Sequence, residues 1–128
     1  MKIESCVFIV EDDFVLLDAL GLIVESAGFS YQAFESAELF LQIDYAHTFG
    51  CLLLDVNLPG MSGIELQAEL IHRKIHLPII FLSSHDDAAM KSSAIKAGAV
   101  DFLTKPVPSK VLIKRIENVL HRHVNPLV

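Results

Sequence analysis

Cysteine is scarce: Cys6 and Cys51 are the only two in 128 residues. Two thiols make neither a disulfide framework nor a zinc site. Both lie in apolar runs, so each reads as a reduced core residue. Positive charge is also short, with 10 Lys and Arg against 16 Asp and Glu and a net charge of −6. A surface that acidic is not the footprint of a domain that itself grips nucleic acid. Long apolar runs are missing too, since no stretch reaches the roughly 18–20 residues that span a bilayer. The N-terminal "MKIESCVFIVEDD" holds an apolar run too short for a signal peptide and meets acids directly. No membrane association is expected, and the expected location is the cytoplasm. Repeats, low-complexity segments and internal linkers are absent.

What remains is a chain with 52% hydrophobic and 20% charged residues, the balance of a globular protein. Its length suits one domain, able to bury roughly two-thirds of its unfolded surface. Apolar runs alternate with helical patterns. "SCVFIV" (5–10), "SYQAF" (30–34), "FGCLLL" (49–54), "LPIIFLS" (77–83) and "AVDFLT" (99–104) read as strands. Leu16, Leu17, Leu20, Ile23, Val24 and Ala27 recur at helical spacing before Gly28. Ser36 can cap a short helix over "AELFLQI", and Ile64, Ala68 and Ile71 suggest the inner face of a third. "DDAAMKSSAIKAG" gives a fourth, stopped by Gly98. A fifth has Pro108 in its first turn and Leu112, Ile116, Val119 and Leu120 inward. "HRHVNPLV" loses periodicity, and Asn125-Pro126 should break any helix there. Five strands alternating with five helices make a (βα)5 chain. Strands apolar on both faces suit a doubly wound α/β parallel sheet with helices on each side.

The chemistry collects where the strands end. Strand one runs into Glu11-Asp12-Asp13, strand three into Asp55, strand four into Ser83-Ser84 and strand five into Lys105-Pro106. Open α/β sheets bind ligands outside the carboxyl ends of their strands. Three carboxylates converging there repel one another unless a cation sits among them. A hard divalent ion such as Mg²⁺ suits that donor set. Acids, metal, a lysine and a hydroxyl together form a site for phosphoryl transfer, in which a carboxylate can be the nucleophile.

"FIVEDD" (8–13), "LLLDVNLPGMSGIEL" (52–66), "PIIFLSS" (78–84) and "GAVDFLTKP" (98–106) stand in the order and at the strand ends of a response-regulator receiver domain. The chain resembles that CheY-like family over nearly its whole length. Its "LPGMSG" and "FLTKPV" segments are most similar to the FixJ-type branch. The resemblance implies a sheet in the order 2-1-3-4-5 and a receiver over residues 1–123. Residues 124–128 would then be a tail, or the start of a linker to a possible effector domain. Asp55 would accept a phosphoryl group from a sensor histidine kinase. Glu11, Asp12, Asp55 and the backbone carbonyl of Asn57 would hold Mg²⁺, with Mn²⁺ able to take its place. Ser83 and Lys105 would bind the phosphoryl oxygens, and Ser83 and Phe102 would form the switch. The Lys105-Pro106 bond would be cis, which X-Pro bonds tolerate at roughly 0.5–1 kcal/mol. The expected output is a rearranged face made by the fourth helix, the fifth strand and the fifth helix, with Lys91, Lys96, Asp101 and Lys110 exposed on it. A homodimer would form on phosphorylation, and DNA would be reached only through an effector domain. By this reading the chain is a signalling domain, not an enzyme.

Plainer roles suit many other residues. Asp13, Asp86 and Asp87 are good helix-start residues, Gly63 is either required at the start of the third helix or a simple loop glycine, and the His72/His76 spacing is surface decoration. Asn57 and His85 occupy the two positions that tune phosphoryl lifetime in the family. An aspartate-nucleophile phosphatase would need an acid where Asn57 stands. A nucleotide-binding module would need glycines where Glu11-Asp12-Asp13 stands. The remaining alternative is a degenerate receiver acting as a phosphorylation-independent interaction or dimerisation domain.

Overall fold

The computed structural model describes residues 5–45 and 49–124. Strands β1 (Ser5–Val10), β2 (Ser30–Phe34), β3 (Phe49–Asp55), β4 (Ile79–Ser83) and β5 (Asp101–Thr104) form one parallel sheet in the order 2-1-3-4-5. Helices α1 (Phe14–Ser26), α2 (Ala37–Phe40), α3 (Gly63–His72), α4 (Ala88–Lys96) and α5 (Ser109–Val124) connect and follow them. The expected (βα)5 doubly wound architecture is the observed one.

Alternation along each central strand builds two cores. Phe8, Val10, Leu52, Leu54, Phe81 and Phe102 face one side, with Phe40, Leu66, Leu70 and Ala94 of α2, α3 and α4. Val7, Ile9, Cys51, Leu53, Ile80 and Leu82 face the other, with Leu17, Leu20, Val24, Leu112 and Ile116 of α1 and α5. Two-sided burial holds for β1, β3 and β4, whereas β2 is an edge strand with three exposed residues of five. Asp13, Ser36 and Asp87 cap α1, α2 and α4 through their side chains.

Several local expectations are corrected. The inner face of α3 is Gly63, Leu66, Gln67 and Leu70, while Ala68 and Ile71 are exposed. Two apolar stripes compete on that helix. The buried one contains a polar residue, Gln67, whose amide donates to the Ala94 carbonyl at 3.0 Å. Helix α2 stops after four residues because the chain turns at Leu41 rather than continuing to Ile43. Strands β4 and β5 each start two residues later than expected. Pro108 stands just before α5, its carbonyl accepting from Leu112 N–H at 3.0 Å. That helix runs on through Val124, and the expected break at Asn125-Pro126 lies outside the described residues. Only Ala94 of α4 is buried.

Candidate functional site

Parallel pairing brings the carboxyl ends of β1, β3, β4 and β5 to one rim. Val10 pairs with Leu54, Asp55 with Leu82, and Ser83 with Thr104. Past the strand ends the ladder continues: Glu11 N–H donates to Phe34 O at 3.1 Å and Val56 N–H to Leu82 O at 3.1 Å. Lys105 N–H donates to Ser83 O at 2.7 Å. The positions of the polar groups are therefore fixed by backbone, and their side chains need little further ordering to meet.

Glu11, Asp12 and Asp55 come together with one carboxylate oxygen from each within 4.8 Å of the others. Glu11 and Asp55 are buried, at 2% and 5% exposure, and Asp12 lies open to solvent. Lys105 reaches in from the β5 end. Its Nζ is 2.7 Å from Glu11 Oε1 and 3.3 Å from Asp55 Oδ1. Burial pulls the Lys105 ammonium down, but the Glu11 hydrogen bond and the Asp55 and Glu11 charges outweigh it and hold its pKa above the ordinary lysine value. The other Glu11 oxygen accepts Asp13 N–H at 3.1 Å, and Asn57 N–H reaches Asp55 Oδ1 at 3.3 Å. Three carboxylates face one ammonium, so the cluster carries an excess of negative charge. A divalent cation with oxygen ligands fits that excess, and the open side at Asp12 gives it a way in.

The remaining expected residues lie on or just past the neighbouring strands β4 and β5. Ser83 is buried, and its Oγ accepts His85 N–H at 3.1 Å and donates to His85 O at 3.0 Å. The His85 side chain is exposed. Phe102 is buried at 4% exposure with its ring 6.0 Å from that of Phe81. The Lys105-Pro106 peptide is cis.

Two features needed the structure to settle or reveal them. Of the two readings of Gly63, the structure favours the one that requires it at the start of α3: a Cβ there would stand 2.2 Å from the Asp55 backbone oxygen, so α3 starts flush against the strand end that carries the acid. Asp101, expected as a free surface charge, is half-buried. It accepts Phe102 N–H at 2.9 Å and pairs with Arg115 of α5. Neither contact has a local signature, because each joins separate elements.

The family profile of the response regulator receiver domain matches residues 7–117, almost the whole described fold. This chain belongs to the response regulator receiver family. Among curated relatives, the receiver is 44% identical over 116 residues to the response regulator protein TodT of Pseudomonas putida, covering 91% of this chain and 51% of TodT. It is 34% identical over 122 residues to the transcriptional regulatory protein FixJ of Bradyrhizobium diazoefficiens, covering 95% of this chain and 60% of FixJ. The solved structure of the response regulator StyR superposes with a TM-score of 0.89 at 39% identity, over 96% of this chain and 62% of that one. FixJ-N gives 0.83 at 34% identity, over 94% of this chain and 96% of that one. The receiver thus spans about half the length of the first curated relatives it matches. As a receiver it is a signalling domain of two-component systems. No helix among the described residues is long and apolar enough to cross a membrane.

Proposed function

We propose that the receiver takes a phosphoryl group from a sensor histidine kinase onto Asp55. The observation that carries this reading is the rim cluster: Glu11, Asp12 and Asp55 within 4.8 Å, with the Lys105 ammonium between two of them. An Asp55 carboxylate oxygen attacks phosphorus, the P–N bond of the donor phosphohistidine breaks, and the imidazole leaves with the electron pair and takes a proton from solvent. Lys105 exchanges its Glu11 contact for a phosphoryl oxygen. The Ser83 hydroxyl, now closed on the His85 backbone, turns to another. Glu11, Asp12, Asp55 and the Asn57 carbonyl would hold Mg²⁺, or Mn²⁺ in its place, and the ion would neutralise the charge on the transferring group.

Turning Ser83 changes the packing beside Phe102, and those two residues are the proposed switch. Phe102 is tied through Asp101 to Arg115, so a shift of β5 is felt in α5. The α4-β5-α5 face is the proposed output surface, where a homodimer would form. Its exposed residues Lys91, Lys96 and Lys110 lie beside the apolar Ile95, Val100 and Val111. Asn57 and His85, which follow β3 and β4, would set the phosphoryl lifetime. Phe14, Val15 and Leu22 stand exposed on α1, which begins beside the acids, and they suit the apolar side of a kinase helix. The receiver would occupy residues 1–123 in the cytoplasm. Residues from 124 onward would be a tail or lead to an effector domain through which DNA would be reached, a reading supported by the similarity to the transcriptional regulatory protein FixJ.

Intact mass after incubation with acetyl phosphate and Mg²⁺ tests the central step, for the native chain and Asp55→Asn. A gain of one phosphoryl group by the native chain alone supports Asp55 as acceptor. No gain by either would favour a phosphorylation-independent interaction domain.

A further inference from the structure

We propose that Glu38 is a positioning residue for the metal-binding edge of this site, acting from α2 through the loop that follows Asp55. The proposal rests on the reading above, in which Asn57 lends that edge its backbone carbonyl. The loop between β3 and α3 is fixed at both ends. At its inner end Val56 and Leu58 are buried, and Gly63 N–H donates to Val56 O at 3.0 Å. At its outer end Ser62 and Glu65 form a reciprocal capping box, with contacts of 3.0 and 3.1 Å. Between the two, Met61 N–H donates to Glu38 Oε2 at 2.9 Å, across 23 residues of sequence.

The loop is shaped to receive that carboxylate. Gly60 has φ +74°, and a Cβ there would stand 2.6 Å from the same Glu38 oxygen. Glycine therefore serves both the backbone conformation and the close approach. Glu38 sits in the first turn of α2, where the Ser36 cap fixes its backbone. Hydrogen bonds from Met61 N–H and from its own amide hold its carboxyl below the usual range, so it is charged at neutral pH. With Met61 released, the segment from Asn57 to Met61 has buried Leu58 as its anchor, and binding a cation must then order the carbonyl as well as ligate through it.

The test is Mg²⁺ affinity by titration calorimetry on the native chain and three variants, with Met61 amide exchange read alongside. Glu38→Ala removes the acceptor. Glu38→Asp keeps the charge but shortens the reach. Glu38→Gln loses the charge but keeps an acceptor oxygen at the right distance. Ala and Asp should weaken Mg²⁺ binding by roughly three- to tenfold and speed Met61 exchange, the scale of one net hydrogen bond in a ligand-supporting contact. Gln should restore most of both. Native affinity in the Ala and Asp variants despite faster exchange would overturn the inference alone, as would a Gln variant as weak as Ala. A native chain that takes up no Mg²⁺ would overturn the metal reading beneath it as well.

Discussion

Gly63→Ala is the substitution that best tests how Asp55 is held. An alanine at the first position of α3 should by itself help the helix, by up to about 1 kcal/mol. Sterics oppose it. The added Cβ would fall 2.2 Å from Asp55 O and 3.0 Å from both Asp55 C and Val56 Cα, all backbone atoms with no flexible end to swing away. Relief requires about 1 Å of movement between α3 and the end of β3. Overpacking of that kind costs about 3 kcal/mol at the upper end of its usual range. Sterics win, and the net loss should be about 2 kcal/mol. In urea, followed by far-UV circular dichroism, that is a midpoint lower by about 1 M for a slope near 2 kcal/mol/M. The fall in Tm should be about 7 °C. Because the strain lands on the Asp55 backbone, phosphoryl uptake from acetyl phosphate should slow as well. A midpoint equal to or above that of the native chain would refute the argument, since helix propensity would then have outweighed the contact.

Lys105→Met should lower stability at neutral pH by about 2 kcal/mol or more, because it leaves buried Glu11 and Asp55 facing each other without a cation. The Lys105 pKa is raised in the fold, so this contribution is fully present below the unfolded value of about 10.4 and is lost as pH rises through the folded one. Urea midpoints of the two chains should therefore converge only above about pH 10.5; a difference that vanishes between pH 7 and 9 would count against the pairing. Gln67→Met should cost about 1 kcal/mol or less, because the Ala94 carbonyl it abandons still accepts Ala99 N–H at 3.1 Å. Its thermal unfolding would show this as a small shift. Burial pushes the Cys51 thiol up to about 12, so iodoacetamide at pH 8 should leave it untouched in the native chain while partly buried Cys6 reacts slowly. Peptide mass mapping reads both, and rapid labelling of Cys51 would contradict the core assigned to it.

The parts of this molecule that sequence patterns reveal are those with a single dominant cause. β1, β3 and β4 are largely apolar runs because both faces are covered, and each gives way to a polar residue that burial alone would not select: Glu11 just past β1, Asp55 at the end of β3 and Ser83 at the end of β4. Those endings made the rim legible. The inner face of α3 was not, since Ile64, Ala68 and Ile71 keep helical spacing as well as Leu66 and Leu70 do, and the true stripe holds Gln67. That glutamine is buried because α4 offers it a carbonyl, which no window of sequence contains. The same holds for Glu38 with Met61 and Asp101 with Arg115. The resemblance implied phosphoryl oxygens for Lys105, and the sequence alone did not show that its ammonium meets Glu11, 94 residues away, and Asp55. Exposed Phe14 and Phe49 show the converse, since phenylalanine alone does not announce a core position.

Helix α4 places one small side chain, Ala94, in the core. Most of its length can therefore change sequence at little cost to folding. Asp55 and Ser83, by contrast, end strands β3 and β4, which are buried along almost their whole length, where almost any replacement is penalised. A protein divided in this way can keep its chemistry while its outer helix is rewritten. New pathways could then arise by copying the domain and revising a surface that the fold does not depend on.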